Sequence, residues 1–223
     1  ILLKQDHLGP GSARNLGAVK AKGKILVFVD ADMEFAPDFI EKLTGPIILG
    51  KTIGTFSKEE YLLNKDNIWA RLWNQNLGRQ AEKMHSDNYP DTQAVFRAIL
   101  KSKFDAVGGF DSTTGYTDDW SLSEKLGIMA MAVPGAKYFH RNPETFSEIW
   151  RQARWFGKNE FLTGNHIRQT YNLLRYFPIF SLAKGVFGVI KFGEPGFIFF
   201  KVIFDTAVFI SVFNSFSKEN KTK

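Results

Sequence analysis

Apolar runs and amphipathic stretches alternate along the first 164 residues of the chain. The run Ile25 to Val29 is β-branched and aromatic, which is typical of strands buried on both faces of a parallel sheet. The pattern predicts helices at 12–21, 37–43, 67–82, 118–126 and 143–164, further strands at 52–56, 128–133 and 137–140, and a strand that enters a short helix at 91–99. This alternation predicts an α/β fold with a mostly parallel sheet flanked by helices.

The pattern changes near residue 165, where aromatic, cationic and glycine residues become frequent. Residues 197–213 read FIFFKVIFDTAVFISVF, with Lys201 and Asp205 one helical turn apart. A membrane-spanning helix needs ~20 apolar residues, so this shorter run predicts a helix that lies in the membrane interface. A core helix, packed on another part of the protein or on a second copy, is the alternative. We therefore expect a globular domain over 1–164 and an amphipathic helical region over 165–223.

The charge of the 223-residue chain is concentrated in its last third. Residues 151–223 contain 11 Lys and Arg against 4 Asp and Glu, whereas residues 1–150 contain 18 against 19. Cationic residues interleaved with aromatic ones favour an anionic membrane surface as partner, at residues 166–223, over nucleic acid. The absence of cysteine excludes disulfides, thiolate metal sites and a cysteine nucleophile.

The chain begins with Ile1 in an apolar run and without a signal-peptide pattern. We therefore expect that the natural protein begins upstream and that an N-terminal segment is missing from this sequence.

Two carboxylates, Asp30 and Asp32, follow the strand at 25–29. The carboxyl ends of parallel strands are where open α/β sheets bind ligands. Two oxygen donors at i and i+2 can hold a divalent cation together with a phosphate oxygen. Asp-x-Asp also occurs in ordinary surface turns, so the pair needs further support.

Four stretches support it, in this order: GPGSARNLGAVKAKGKILVFVDADMEF at 9–35, VGGFDSTTGYTDDWSLSEKLG at 107–127, His140, and WRQARWFGKN at 150–159. Together they resemble the inverting nucleotide-sugar glycosyltransferases of family 2. The resemblance implies a Rossmann-like A-type glycosyltransferase fold, hexosyltransferase-type activity with a nucleotide-sugar donor, and Mn2+ or Mg2+ as cofactor. The family's opening strand and helix would precede Ile1.

The resemblance also assigns metal and donor ligands. It implies that Asp30, Asp32 and His140 bind the metal ion. Arg14 and Asn15 match the family's Ala-Arg-Asn segment near the nucleotide. The expected donor-binding residues are Arg14, Asn15, Asp30 and Arg154. Met33 departs from a further acidic residue that the family often has, and Glu34 is a possible substitute.

Asp119 matches the general base of the family's Thr-Glu-Asp-like segment. A carboxylate there can take the proton of the attacking acceptor hydroxyl. As an alternative, Asp118 and Asp119 are simply favoured by the dipole of a helix start. The expected acceptor-binding residues are Gly108, Gly109, Asp118 and Trp155. Arg151 stands where processive members have Gln, which argues against a processive polymerase.

The sequence therefore predicts a metal-dependent inverting glycosyltransferase with a lipid-linked saccharide or a polysaccharide as acceptor, at the cytoplasmic face of the cell membrane. One alternative is an aspartate-nucleophile phosphatase, which also has Asp-x-Asp after an apolar strand. Glu34 stands where those phosphatases have Thr or Val. A second alternative is an inactive, truncated module that is retained for interactions at the membrane.

Overall fold

The structure, a computed structural model, describes residues 1–216 except 7, 87, 113–114, 160–161 and 163. Its helices are α1 (Pro10–Lys20), α2 (Phe39–Ile48), α3 (Ile68–Asn76), α4 (Lys101–Ala106), α5 (Ser121–Leu126), α6 (Phe146–Phe156), α7 (His166–Arg175), α8 (Pro178–Phe192) and α9 (Phe197–Ser215). Its strands are β1 (Ile25–Val27), β2 (Met33–Phe35), β3 (Gly54–Phe56), β4 (Glu60–Leu62), β5 (Thr92–Gln93), β6 (Ala98–Leu100), β7 (Ala130–Ala132) and β8 (Tyr138–His140). A 3-10 helix at Gly115–Trp120 precedes α5.

The chain forms two compact units. The first contains Ile1–Tyr61 and His85–His140, and the second contains Leu62–Met84 and the described residues from Arg141 to Phe216. The second unit therefore combines α3 and α6 with the three C-terminal helices. The division into functional domains at residue 164 stays a prediction.

The α/β class is confirmed, and the sheets are mixed. Five strands form one sheet in the order β1-β6-β3-β7-β5, and three form another in the order β2-β8-β4. Strand β7 runs parallel to β3, whereas β6 is antiparallel to β1 and β3, and β5 is antiparallel to β7. We expected mostly parallel pairing, but a continuous apolar run indicates burial on both faces and carries no information about strand direction.

Apolar side chains on both sides of the larger sheet form the core of the first unit. One cluster is built around Phe96, Ile99 and Leu122, and another packs α2, through Phe39 and Leu43, against the sheet. Both clusters are dominated by fully buried aliphatic and aromatic groups, whose removal from water is the main stabilising contribution. These clusters fix the strand ends that carry the candidate site.

Helix α9 is the centre of the second unit. Phe200, Phe204 and Val208 are buried between α9 and its neighbours, and Trp73 contacts the first two edge-on. Within the described residues, α9 alone is long and apolar enough by itself to cross a membrane, and half of its most apolar window is buried. Helices α7 and α8 pass the same test together, as a pair bent by 58°.

Candidate functional site

Asp30 lies just beyond β1 and is held by two arginines. Arg97 Nη1 donates to Asp30 Oδ2 at 3.0 Å, and Arg14 Nη2 donates to Asp30 Oδ1 at 3.2 Å. The β1–β6 pairing continues through the bond from Phe28 N to Arg97 O, which brings Arg97 beside the end of β1. Burial raises the pKa of Asp30, but Arg97 and Arg14 outweigh it, so the pKa is lowered overall and the carboxylate stays charged.

Arg14 also connects Asp30 to the predicted base. Its Nη1 donates to Asp119 Oδ1 and lies 3.9 Å from Asp118 Oδ1. Asp118 is buried, and its Oδ2 accepts a hydrogen bond of 2.5 Å from Gly11 N in the first turn of α1. Burial raises the pKa of the Asp119 carboxyl, and the attraction of Arg14 opposes that rise only in part. Asp119 is thus a stronger proton acceptor than an ordinary aspartate.

Asp32 belongs to a second cluster, which contains two histidines and Glu60. The β2–β8 pairing sets Met33 opposite His140, and His140 Nε2 lies 3.1 Å from Asp32 Oδ2. His140 Nδ1 lies 2.8 Å from Glu60 Oε1, and His85 Nε2 lies 3.0 Å from Glu60 Oε2. Burial raises the pKa of Glu60, but hydrogen bonds from His140 and His85 lower it well below its usual range. The pKa of His140 is raised, because both carboxylates outweigh the effect of burial.

A cavity of about 180 Å³ adjoins both clusters in the first unit. Its walls include Glu60, His85, Tyr89, Arg97, Asp119 and Tyr138. The rings of His85 and Tyr89 stack at 3.9 Å between centroids, and Tyr138 Oη donates to Glu60 Oε2 at 3.0 Å. The cavity therefore combines a partly exposed carboxylate, a guanidinium and aromatic rings, a combination suited to binding a polar ring-shaped ligand.

The three predicted metal ligands do not form a metal site as they are arranged. The oxygens of Asp30 accept bonds from two arginines, and both ring nitrogens of His140 face carboxylates. Across the described part of the chain, no group of three Asp, Glu, His or Cys side chains has the geometry to hold a metal ion. Asp32 and His140 are together, as the sequence predicts, and Asp30 belongs to the neighbouring arginine cluster.

Asn15 fixes the turn that precedes the predicted base. Its Nδ2 donates to Phe110 O and its Oδ1 accepts from Phe110 N, both at 2.9 Å. Gly108 and Gly109 have φ of +73° and +72°, and a Cβ at Gly109 would lie 2.5 Å from Asn15 Oδ1. Position 109 therefore requires glycine, because its φ is positive and because a Cβ there would clash with Asn15. The donor-binding role of Asn15 and the acceptor-binding roles of Gly108, Gly109 and Asp118 stay predictions.

Arg154 and Trp155 belong to the second unit, on α6. Arg154 Nε donates to Ser211 Oγ on α9 at 2.7 Å, and Trp155 is exposed. The contact with Ser211 gives Arg154 a role in packing α6 against α9. Its contact with the donor and that of Trp155 with the acceptor stay predictions.

Sequence reasoning missed three polar residues of this site. Arg97 directly precedes β6, Glu60 begins β4, and His85 stands outside any helix or strand. A carboxylate at the start of an otherwise apolar strand was a usable signal for Glu60. The sequence around Arg97 and His85 offered none, since both are brought to the cavity by long-range folding.

A comparison with models of known protein families finds a match to the first part of the chain. The model of the family described as Glycosyl transferase family 2 matches residues 1–108. Residues 1–108 are therefore similar to glycosyl transferase family 2. The match includes Arg14, Asp30, Asp32, Glu60 and Arg97. This similarity supports a glycosyltransferase, and the family implies a nucleotide-sugar donor. A search of curated proteins finds no significant match.

The family match ends before several predicted site residues. Asp118, Asp119, His140, Arg154 and Trp155 all lie beyond residue 108, and so does Gly109. Their roles therefore depend on the geometry of the site and on the motif resemblance.

Proposed function

We propose that the chain transfers a sugar, of the hexose type, from a nucleoside diphosphate to an acceptor hydroxyl with inversion at the anomeric carbon. The observation that supports this most is the position of Asp119, whose carboxylate lines the cavity and has a raised pKa. Asp119 takes the hydroxyl proton as the acceptor oxygen bonds to the anomeric carbon. The bond from that carbon to the diphosphate oxygen breaks, and the diphosphate leaves with the electron pair.

Arg14 changes partners in this proposal. It contacts Asp119 and Asp30 in the structure, and a bound diphosphate competes for its guanidinium through charge-assisted hydrogen bonds. Transfer of Arg14 to the diphosphate frees Asp119 to face the acceptor. Arg97 keeps Asp30 paired during this exchange, because it bonds the other carboxylate oxygen.

The acceptor and the location are proposed from the second unit. A lipid-linked saccharide or a polysaccharide is the proposed acceptor, and the cytoplasmic face of the cell membrane is the proposed location. The excess of Lys and Arg in residues 151–223 and the apolar surface of the C-terminal helices support this.

Divalent-cation dependence, with Mn2+ or Mg2+, is a separate proposal. The Asp-x-Asp pair within the family match supports it, and the present arrangement of Asp30 and His140 does not fit a bound ion. No chemical step above depends on the cation. The aspartate-nucleophile phosphatase is not proposed, because its nucleophile would be Asp30, which is paired with two arginines.

Calorimetry followed by a transfer assay tests the proposal. UDP and GDP are titrated into the chain with and without Mn2+, and then a panel of UDP- and GDP-sugars is tested for transfer. We expect Asp119→Asn to bind the nucleotide normally and to lose transfer by roughly 10²–10⁴-fold, the usual contribution of a general base. Asp32→Asn tests the cation, because it should abolish any increase of nucleotide binding by Mn2+.

Glu124→Gln is the control, since Glu124 is exposed on α5, in the helix that directly follows the Asp119 segment. It should retain full transfer. Full transfer by Asp119→Asn would refute the assignment of the base. Equal binding of nucleotide with and without Mn2+ would refute the cation dependence and leave the base assignment intact.

A further inference from the structure

Helix α8 has its small residues inside and its large apolar residues outside. Ser181, Gly185 and Gly188 are buried. The exposed side chains are Ile179, Phe180, Leu182, Val186, Phe187 and Ile190. At 100° per residue these six lie within one broad arc of the helix. A helix of a water-soluble core has the opposite arrangement, with its large apolar residues facing inward.

The packing of α8 on α9 fixes this orientation. A Cβ at Gly188 would lie 2.2 Å from Phe197 Cδ1, and a Cβ at Gly185 would lie 2.7 Å from Ile198 Cα. Only residues without a side chain allow the two helices to approach so closely. Ser181 Oγ also donates to the buried Asp205 Oδ2 at 3.0 Å. The large apolar residues of α8 are therefore held outward.

Helix α7 extends the same surface. Ile167, Tyr171 and Leu174 are exposed at i, i+4 and i+7, with Ile167 86% accessible. Helix α8 has 15 residues, too few to cross a bilayer alone, and α7 meets it at a bend of 58°. The geometry suits a pair of helices that lies along a surface.

The charge of this surface has one sign. Residues 165–192 contain four Lys and Arg and no Asp or Glu. Lys184 bonds the buried Asp205, whereas Arg168, Arg175 and Lys191 are exposed. An isologous dimer through this surface would bring like charges together, because each copy presents the same patch to the other. An anionic lipid surface complements both the cations and the apolar arc.

We infer that the outward face of α7 and α8 inserts into the interface of an anionic lipid bilayer. This inference rests on the membrane location proposed above and identifies the surface responsible for it. Helix α9, which contains the longest apolar run of the sequence, is the packed helix that supports α7 and α8.

Single-cysteine labelling tests this, since these 223 residues contain no cysteine to remove. The full chain is labelled with an environment-sensitive nitrobenzoxadiazole dye at Phe187→Cys or Ile190→Cys. The control is Phe213→Cys on α9, because Phe213 is 61% exposed and Phe187 is 67% exposed. On addition of phosphatidylcholine vesicles with phosphatidylglycerol, we expect a blue shift and brighter emission at 187 and 190 and little change at 213.

Binding is measured in parallel by flotation with the same vesicles. Ile190→Ser should weaken binding about tenfold or more, because burial of one large apolar side chain has an effect of that size. Lys191→Gln should weaken it about fivefold at low salt, and Lys51→Gln, an exposed lysine of the first unit, should not.

Several results would overturn the inference. One is that the chain does not bind anionic vesicles, and another is that the dye responds more strongly at 213 than at 187. A third is that the chain dimerises in a concentration-dependent way that Ile190→Ser abolishes. The assays contain no nucleotide sugar. Failure of sugar transfer would therefore leave vesicle binding unchanged, and failure of vesicle binding would leave transfer to a soluble acceptor measurable.

Discussion

The two units each contain a cluster of opposite charges, and the surroundings of the clusters differ. In the first unit Arg14 joins Asp119 beside a cavity, and the Asp119 side chain is partly exposed. In the second unit Asp205 is fully buried between helices, with Lys184 Nζ at 2.9 Å and Lys201 Nζ at 2.8 Å. Both clusters are held by ion pairs, but the first adjoins a cavity in which a ligand can compete for a partner.

This difference predicts that the first cluster contributes mainly to activity and the second mainly to stability. An ion pair at a cavity wall can open when a charged ligand offers better contacts, so its loss should change activity more than stability. The sealed Asp205 carboxylate cannot turn toward water, so loss of its charge leaves Lys201 uncompensated in the protein interior. Three substitutions test the distinction, from the largest expected effect to the smallest.

Asp205→Asn is expected to destabilise the second unit by about 3–5 kcal/mol. The substitution keeps the shape of the side chain and leaves two lysines without a counter-charge. Urea unfolding followed by circular dichroism measures the loss. Asp66→Asn is the control, because Asp66 is exposed in the same unit. A loss below about 1 kcal/mol would mean that the sealed cluster does not hold the helices together.

Glu60→Gln is expected to cost about 2–3 kcal/mol in a defined pH window. The pKa of Glu60 is lowered from its ordinary 4.5, so its contribution is complete above that pH and is lost as the pH falls further. The pKa of His140 is raised from its ordinary 6.5, so its contribution is complete below that pH and is lost as the pH rises through the raised value.

The difference in unfolding free energy between the wild type and Glu60→Gln should therefore be largest between pH 4.5 and 6.5. Urea titrations from pH 4 to about 9 measure it. The Glu59→Gln variant tests whether loss of any neighbouring carboxylate has the same effect. A difference that is independent of pH would contradict the ion pairing of Glu60 with the histidines.

Arg14→Met is expected to change the pH dependence of transfer, with the smallest effect on stability. Arg14 opposes the rise that burial causes in the pKa of Asp119, so its removal should raise that pKa further. Because Asp119 acts as a base, the acid limb of kcat/KM should move to higher pH. Lys22→Met, at an exposed position, should leave the limb in place. If the acid limb of Arg14→Met stays at the same pH as in the wild type, Arg14 does not affect the pKa of the catalytic base.

The local elements of the site were predictable, and their partners were not. The strand that ends before Asp30 and the helix that carries Arg14 follow from short-range patterns, and both are present. Arg97 reaches Asp30 because β6 pairs antiparallel with β1, a choice that depends on the whole sheet. His85 reaches Glu60 from a segment without regular structure. Neither contact has a short-range pattern that could indicate it.

The C-terminal helices illustrate a second limit. The sequence identifies 197–213 as the most apolar run and predicts an interfacial helix there. A helix that is apolar on all sides is well suited to burial among other helices, and half of the most apolar window of α9 is buried, in the way that the alternative of a core helix predicts. The glycines of α8 are the better indicator of the exposed surface, but their meaning depends on knowing which helix they pack against.

Through its two hydrogen bonds to Phe110, the Asn15 side chain pairs with the backbone as a residue of a neighbouring β-strand does. One amide both donates to and accepts from the backbone of a single residue, as a neighbouring strand would. Aspartate at this position would lose the donor, and leucine would lose both groups. One side chain therefore fixes the distance between α1 and this turn. We expect that variants with an insertion between residues 104 and 110 lose function.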